Sequence, residues 1–253
     1  MKVTICHLYP DLMNLYGDRG NVIALCRRVE WAGMEPEVQR VGLGVTPDFR
    51  AFDIVFLGGG QDREQALVAS DLAEVKARSL REAVEDGVAL LAICGGYQLM
   101  GSYFRTGSGV VLPGIGLFDA WTVAGSRRCI GDVIAACSLD GRERTLVGFE
   151  NHSGKTYLGR RARPLGRVLF GYGNNGEDGF EGAIYRNAVG TYLHGSLLPK
   201  NPWLADHLIR RAVERRYGPG ASLPPVGDGE EELAHQAVIA RIRSRGKLDT
   251  GAI

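Results

Sequence analysis

The sequence has no excess of one charge and no long apolar run. Its 253 residues include 30 Lys and Arg against 29 Asp and Glu, a formal net charge of +1. This balance gives no reason to expect nucleic acid or an anionic membrane surface as a partner. No apolar run approaches the roughly 18 residues that a transmembrane helix needs, and the apolar run at the start is too short for a signal peptide. We therefore expect a cytoplasmic globular protein with no transmembrane segment.

The sequence also lacks the cysteine spacing of a disulfide framework or a zinc site. It has five cysteines, an odd number, and no C-x-x-C pair among them. A reducing compartment and the absence of a metal site are therefore predicted. The cysteines are Cys6, Cys26, Cys94, Cys129 and Cys137.

A complete phosphate-binding loop is missing as well. Ser153-Gly154-Lys155-Thr156 imitates the end of such a loop, but Phe149 stands where the motif requires its first glycine. We interpret the stretch as a structural or substrate-rim loop, because the geometry of a phosphate loop depends on that glycine. No ATP site and no other cofactor are expected in this chain.

The most informative stretch present runs from Val88 to Met100. Six apolar residues lead into Cys94, and Gly95 and Gly96 follow it. Such a run suits a strand buried on both faces of a parallel sheet, and the glycines permit a sharp strand-to-helix turn. The turn would put Cys94 at a helix N-terminus, where partial positive charge favours a thiolate. From this stretch alone, a nucleophile and a buried core cysteine are equal alternatives.

The first hundred residues alternate strand and helix patterns. The pattern includes a continuous helix over 63–86 and a helix capped by Asn21. This alternation predicts an α/β fold with a doubly wound, mostly parallel sheet and flanking helices.

The remaining sequence changes character twice. Between about residues 101 and 186, short β-type runs predict additional antiparallel strands that extend the core. We expect one domain over 1–217, a Gly- and Pro-rich linker over 218–229 and a helical C-terminal extension over 230–253. The apolar stripe of the last helix favours docking on the protein's own core over docking on a partner.

Three stretches follow predicted strands at their carboxyl ends, where open α/β sheets bind ligands. They are Gly58-Gly59-Gly60, Cys94-Gly95-Gly96 and His194-Gly195. A cysteine nucleophile needs a base, which His194 can supply. It also needs backbone N–H donors for an oxyanion, which a glycine loop can supply. Together the three favour acyl transfer through a thioester.

Two of these stretches resemble motifs of a known family. The segment from Ala92 to Gly101 resembles the nucleophile motif of class I (triad-type) glutamine amidotransferases. Tyr192-Leu193-His194-Gly195 is similar to the histidine motif of the cobyric acid synthase branch, in which the usual His-Pro-Glu is absent; Gly195-Ser196 follows the histidine here. More narrowly, residues 1 to about 216 resemble the GatD family, the glutaminase subunits of lipid II isoglutaminyl synthase. The stretches that carry this likeness are Tyr9–Asn21, Gly58–Asp62, Leu112–Leu117, Arg128–Gly131 and Gly148–His152.

The resemblance implies hydrolysis of L-glutamine to glutamate and ammonia. Cys94 would attack the side-chain amide and His194 would carry the proton, with the backbone of Gly60 and Gly95 forming the oxyanion hole. No glutamate follows His194 in the family's usual position, so the group that orients the histidine stays unassigned.

The resemblance also implies the substrate contacts. Gly59, Gln98 and Arg128 would bind glutamine, with Arg128 on the α-carboxylate, which suits a forked guanidinium. Arg127 is adjacent and is the alternative for this contact. His152 is a second histidine near these motifs; we assign the role of catalytic base to His194 and not to His152.

A glutaminase without an ATP site implies a separate synthetase chain. In the resembled system this is a MurT-like Mur-ligase subunit, which holds ATP and Mg²⁺ and amidates the D-glutamate of lipid II, so that a heterodimer is expected. The Tyr9–Asn21 loop and the C-terminal helix are predicted partner surfaces. Three alternatives are open: an amidotransferase subunit for a cobyrinate-type macrocycle, a non-catalytic regulatory subunit, and a general thiol hydrolase.

Overall fold

The structure, a computed structural model, describes residues 1–245; the end of the predicted C-terminal extension, 246–253, lies outside the described residues. Short 3-10 segments lie at Leu15–Gly17, Phe49–Ala51 and Leu198–Lys200, and a π-helical segment lies at Asp71–Lys76. The other elements follow in chain order: β1 (Lys2–Leu8), α1 (Arg19–Trp31), β2 (Glu35–Val41), β3 (Ile54–Leu57), α2 (Asp62–Ser70), α3 (Ala77–Glu85), β4 (Ala89–Ile93), α4 (Gly95–Met100), β5 (Tyr103–Arg105), β6 (Val111–Pro113), β7 (Ala120–Cys137), β8 (Arg144–Leu158), β9 (Gly166–Phe170), β10 (Phe180–Glu181), β11 (Ala183–Tyr185), β12 (Ala188–Thr191), α5 (Pro202–Tyr217) and α6 (Gly229–Ser244).

A parallel sheet forms the first half of the fold. Its strand order is β11-β12-β4-β3-β1-β2, and every neighbouring pair is parallel except β11 with β12. All five residues of β4 are buried, as a strand covered on both faces requires. The predicted α/β fold with a mostly parallel sheet is confirmed.

The second sheet, in which β7 and β8 pair antiparallel, contributes its buried residues to the same core as the first sheet, so the prediction that these strands extend the core is confirmed. Its order is β10-β9-β7-β5-β6, with β8 paired to β7. The long strands β7 and β8 are neighbours in sequence and pair with each other antiparallel, so their backbone groups are satisfied locally without joining the first sheet. The two sheets meet where Phe149 and His194 exchange backbone hydrogen bonds.

One local prediction is refined and one needs correction. The helix expected over 63–86 is confirmed, since the chain is helical throughout 62–85, and it contains the π-helical segment Asp71–Lys76, which a period-based pattern does not distinguish from an α-helix. Helix α1 begins two residues before Asn21, whose buried side chain accepts a hydrogen bond from the Leu198 N–H at 2.9 Å instead of capping the helix.

The C-terminal helix α6 packs on the second sheet. Val238, Ile239 and Ile242 form a buried cluster with Ile134 and Val147. This contact agrees with the predicted docking of the helix on the protein's own core. Among residues 1–245, no helix has the length and apolar character required to cross a membrane.

Candidate functional site

Cys94 occupies a strained turn between β4 and α4. Its backbone has φ 47° and ψ −105°, a conformation that residues with a side chain rarely adopt and that clusters at functional sites. The Cys94 N–H donates to Thr191 O at 2.8 Å, and Gln98 N–H donates to Cys94 O at 2.9 Å. The turn is therefore held by the neighbouring strand β12 and by the first turn of the helix.

The two glycines after Cys94 are needed for close packing and not for their φ angles. A Cβ on Gly96 would lie 2.7 Å from Gly58 O, and a Cβ on Gly95 would lie 2.9 Å from Gly60 N. The glycines thus allow the start of α4 to touch the loop after β3. This contact places Gly60 and Gly95, the predicted oxyanion glycines, next to each other.

His194 follows β12 and lies fully buried, with Asp18 beside it. His194 Nδ1–H donates to Asp18 Oδ1 at 3.3 Å, and both side chains have no exposed surface. The other ring nitrogen, Nε2, has no hydrogen-bond partner in the described part of the chain. A histidine held in this way presents Nε2 for proton transfer.

The environment of His194 favours the charged imidazolium. Burial alone would lower its pKa, but the electrostatic interaction with Cys94 and the contact with Asp18 raise the pKa of His194 to about 10. Cysteine and histidine in this arrangement form the pair that a thiolate nucleophile requires.

Gly59 separates Cys94 from His194. A Cβ at this position would lie 2.6 Å from His194 Cε1 and 3.4 Å from Cys94 Cβ. The Gly59 N–H donates to Asp18 Oδ2 at 2.7 Å, and its carbonyl accepts from the Leu15 N–H at 3.1 Å. Both backbone groups are thus bonded within the protein, which differs from the substrate contact predicted for Gly59.

Asp18 has therefore two partners that belong to different parts of the site. One carboxylate oxygen faces His194 and the other accepts from the loop that carries Gly60. Asp18 was not predicted from the sequence, because the group that orients His194 was expected directly after the histidine. In the sequence, the only sign of a functional role for Asp18 is the polar, glycine-punctuated loop around it, which was predicted to be a partner surface.

Two other buried carboxylates near the site have different partners. Glu150 accepts from the N–H groups of Tyr172 and Gly173 at 2.7 and 3.0 Å. Glu181 accepts from Thr191 and from the Tyr192 N–H, and burial raises its pKa to about 7. Neither of these bonds involves His194.

The second histidine, His152, belongs to the wall of the site. Its Nδ1 bonds Gly154 O at 2.7 Å and its ring stacks on Tyr192 at 3.6 Å between centroids. The phosphate-loop imitation beside it lies within strand β8, and an extended strand lacks the turn of N–H groups that holds a phosphate. The interpretation as a loop was therefore wrong, although Ser153 and Gly154 do line the cavity rim.

Cys94 and the predicted substrate residues Gln98 and Arg128 line one cavity of about 430 Å³. Its size is that of a small-molecule site. Gln98 is buried in its lining, with Nε2 donating to Tyr192 Oη at 3.0 Å and Oε1 without a hydrogen-bond partner among residues 1–245. The lining includes Tyr16, Gly60, Gln65, Cys94, Gln98, Arg128, Asn151 and His152.

The two arginines of the pair point to different places. Arg128 lines the cavity, whereas Arg127 donates to Tyr172 Oη at 3.2 Å and lines a separate groove on the second sheet. This difference favours Arg128 as the contact for a ligand next to Cys94. Among residues 1–245, no group of three His, Cys, Asp or Glu side chains is arranged to hold a metal ion.

Comparison with known proteins agrees with the site. Residues 4–202 match the CobB/CobQ-like glutamine amidotransferase domain. The chain is 42% identical over 247 residues to the GatD subunit of lipid II isoglutaminyl synthase (glutamine-hydrolyzing) of Staphylococcus aureus, covering 97% of this chain and 98% of that protein. The GatD subunit of Streptococcus pneumoniae is 40% identical over 228 residues, or 90% of this chain and 86% of that protein.

More distant proteins share part of the sequence or only the fold. A cobyric acid synthase of Pelotomaculum thermopropionicum is 35% identical over 153 residues, which are 55% of this chain and 29% of that protein. The structure of PurLQS from Thermotoga maritima includes a chain with a TM-score of 0.57 at 19% identity, covering 96% of this chain and 100% of that one. The chain therefore belongs to the CobB/CobQ-like glutamine amidotransferases and, within them, to the GatD subunits of lipid II isoglutaminyl synthase.

Proposed function

We propose that this chain is the glutaminase subunit of a lipid II isoglutaminyl synthase. It hydrolyses L-glutamine and supplies the ammonia to a MurT-like synthetase that amidates the D-glutamate of lipid II. The observation that carries the proposal is the meeting of Cys94, His194 and Asp18 around Gly59, with Cys94 lining a cavity that Arg128 also lines. The kinship with GatD subunits supports the choice of acceptor.

In the first step the Cys94 thiolate attacks the side-chain carbonyl carbon of glutamine. A C–S bond forms and the carbonyl oxygen becomes an oxyanion. We assign its stabilisation to the N–H groups of Gly60 and Gly95, because hydrogen-bond donors that are already in place lower the barrier most. The Gly60 N–H shares its peptide plane with Gly59 O, and the bond from the Leu15 N–H to Gly59 O, at 3.1 Å, holds this peptide in one orientation.

His194 moves the protons. As imidazolium it donates from Nε2 to the leaving nitrogen, the C–N bond breaks and ammonia departs. Neutral His194 then takes a proton from water, which attacks the thioester, and glutamate leaves as the C–S bond breaks. Asp18 keeps the Nδ1 proton in place and stabilises the imidazolium, the part that an aspartate plays in a serine protease triad.

Recognition of free glutamine requires groups for two charges. Arg128 suits the α-carboxylate because its guanidinium offers two parallel donors. The unpaired Oε1 of buried Gln98 is an acceptor for the α-ammonium. Gly59 spaces Cys94 from His194, and its contact with glutamine stays a prediction.

The partner is a MurT-like Mur-ligase subunit in a heterodimer, and it would hold ATP, Mg²⁺ and lipid II. Free ammonia is lost to solvent unless a second active site consumes it, which supports a subunit that works in a complex. The same reasoning applies to a cobyrinate-type acceptor, but the cobyric acid synthase relatives align over only part of this chain. All five cysteines are free thiols, which agrees with the cytoplasmic setting that we propose.

The experiment is to co-express the chain with the Mur-ligase-like protein and to measure amidation of lipid II in the presence of ATP. We expect the wild-type complex to use either glutamine or ammonium chloride as its nitrogen source. The Cys94→Ala complex should lose amidation from glutamine and keep amidation from ammonium chloride. If the variant still uses glutamine, Cys94 is not the nucleophile; if the wild type uses neither source, lipid II is not the acceptor.

A further inference from the structure

Arg128 is an exposed residue held by one neighbour, and that neighbour has a second partner. Both hydrogen bonds that Arg128 makes within residues 1–245 go to Asn151: Nε donates to the side-chain oxygen and Nη2 donates to the backbone oxygen at 3.4 Å. The remaining guanidinium donors are available to a ligand. Asn151 Nδ2 in turn donates to Tyr16 Oη at 2.7 Å.

Asn151 therefore links Arg128 to Tyr16. The two residues come from the hairpin β7–β8 and from the loop before α1, and all three line the cavity that contains Cys94. An asparagine amide can serve both neighbours at once, because its oxygen accepts from the arginine while its NH₂ donates to the phenol.

Tyr16 also lies against His194. Their rings meet edge to face, with 5.1 Å between centroids and 74° between planes. Its backbone is in the left-handed region, φ 52° and ψ 28°, which is uncommon for a bulky residue and indicates an imposed position. The residues on both sides are tethered: Leu15 N–H donates to Gly59 O at 3.1 Å, and Ser196 Oγ donates to Gly17 O at 2.8 Å.

We propose that Tyr16 and Asn151 are positioning residues for Arg128, which fix its guanidinium over the cavity so that the site selects substrates with an α-carboxylate. The inference rests on the proposed glutaminase function and extends it to the origin of substrate specificity. Tyr16 contacts both parts of the site: its hydroxyl accepts a hydrogen bond from Asn151, which holds Arg128, and its ring lies against His194.

The test uses two alkylating reagents on the full chain, with the modification of Cys94 followed by mass spectrometry. The first, 6-diazo-5-oxo-L-norleucine, is a glutamine analogue with an α-carboxylate and depends on its recognition. The second, iodoacetamide, has no carboxylate and reports only the reactivity and access of the thiol. The ratio of the two labelling rates therefore isolates recognition of the carboxylate from any change at Cys94.

Tyr16→Phe keeps the aromatic ring over His194 and removes only the hydroxyl. We expect it to slow labelling by the analogue about 5-fold, the effect of one lost hydrogen bond, and Asn151→Ala to slow it about 10-fold or more. Labelling by iodoacetamide should stay unchanged in both. Tyr172→Phe is the matched control, because it removes a hydroxyl that bonds the neighbouring Arg127, and it should change neither rate.

A double-mutant cycle then tests the route of the effect. In an Arg128→Ala background, Tyr16→Phe and Asn151→Ala should have no further effect on labelling by the analogue. The proposal is wrong if either variant slows both reagents equally, leaves both rates at the wild-type value, or keeps its effect without Arg128. If wild-type Cys94 does not react with the analogue at all but reacts with iodoacetamide, the glutaminase function itself is wrong.

Discussion

The cavity has two sides that are built differently. The reaction side, Cys94, Gly60, His194 and Asp18, lies at the carboxyl edge of the parallel sheet and is almost completely buried. The recognition rim, Tyr16, Arg128 and Asn151, combines the antiparallel sheet with a surface loop and is partly exposed; Tyr16 has 46% of its surface accessible. The chemistry is thus placed among buried, closely packed groups, and the selection of substrate where solvent and ligand have access.

This difference predicts how each side responds to substitution. On the reaction side, backbone contacts such as those of Gly96 leave no space for one additional carbon, so changes should reduce kcat severely. On the rim, side-chain hydrogen bonds can be lost one at a time, so changes should act in steps and mainly on KM. Five experiments test this difference between the two sides.

Asp18→Asn should have the largest effect. It keeps the shape of the side chain but removes the charge that holds the Nδ1 proton of His194, and the comparable change in a serine protease triad costs about 10⁴-fold. We expect kcat to fall about 10³–10⁴-fold with little change in KM, measured as glutamate release by the complex. A drop of only a few-fold would mean that another group orients the histidine.

Gly59→Ala comes next. Its new methyl group would lie 2.6 Å from His194 Cε1 and 3.2 Å from Asp18 Oδ2. A displacement of the histidine by about 1 Å should lower kcat about 100-fold. The control is Gly107→Ala, where the nearest atom to a new Cβ is the Ala124 Cβ at 3.9 Å; equal activity in the two variants would contradict the close packing of the reaction side.

Arg128→Lys tests the rim. A lysine keeps the charge but offers no paired donors, so we expect KM for glutamine to rise about 10-fold while kcat stays within about two-fold. Arg127→Lys, the matched change one residue away, should leave both constants unchanged. The opposite result for the pair would move the carboxylate contact to Arg127.

The charge of His194 should appear in the pH dependence of stability. Its pKa in the folded state is raised above the unfolded value of about 6.5, so the fold favours the protonated ring. This contribution is complete below pH 6.5 and is lost as the pH rises through the folded value. The measurement is the Tm of wild-type protein minus that of His194→Gln between pH 6.5 and 10. This difference should decrease as the pH rises, by about 2–4 °C for each kcal/mol of stability that deprotonation of His194 removes. A difference that is constant with pH would exclude a charged His194.

Ile242→Ala should have the smallest effect on activity. The side chain lies in the buried contact of α6 with the second sheet, away from the cavity. We expect a loss of about 2–4 kcal/mol in stability on denaturation with urea, while kcat and KM at 25 °C remain within two-fold of wild type, about the scatter expected for a distant site. A large loss of activity would indicate that α6 takes part in the site.

The two sides also differ in how far the sequence predicts them. The apolar run before Cys94 and the strand before His194 are local patterns, and parallel strands bring their carboxyl ends to one edge, so the elements of the reaction side could be derived. Asp18 could not, because it reaches His194 across 176 positions of sequence through a loop without a regular period. The strand pairing of the second sheet could not be derived for the same reason, since a hairpin pattern does not state which other strands it will join.

The unusual backbone conformation of Cys94 was likewise predicted only in part from the sequence. The glycines after it indicated a sharp turn, yet the positive φ belongs to Cys94 itself and the glycines serve a contact with the loop after β3. Sequence identifies where the chain must turn, whereas the distribution of strain among the residues of the turn depends on what packs against it.

The two partners of Asp18 have a consequence for the synthesis of the protein. Asp18 is made early, Gly59 follows 41 residues later and His194 follows 176 residues later. Until the last strand of the parallel sheet has emerged from the ribosome and brought His194 to Asp18, the nascent chain has a thiol but no base. Every unfinished or C-terminally truncated copy that stops before this strand therefore lacks the base of the proposed reaction.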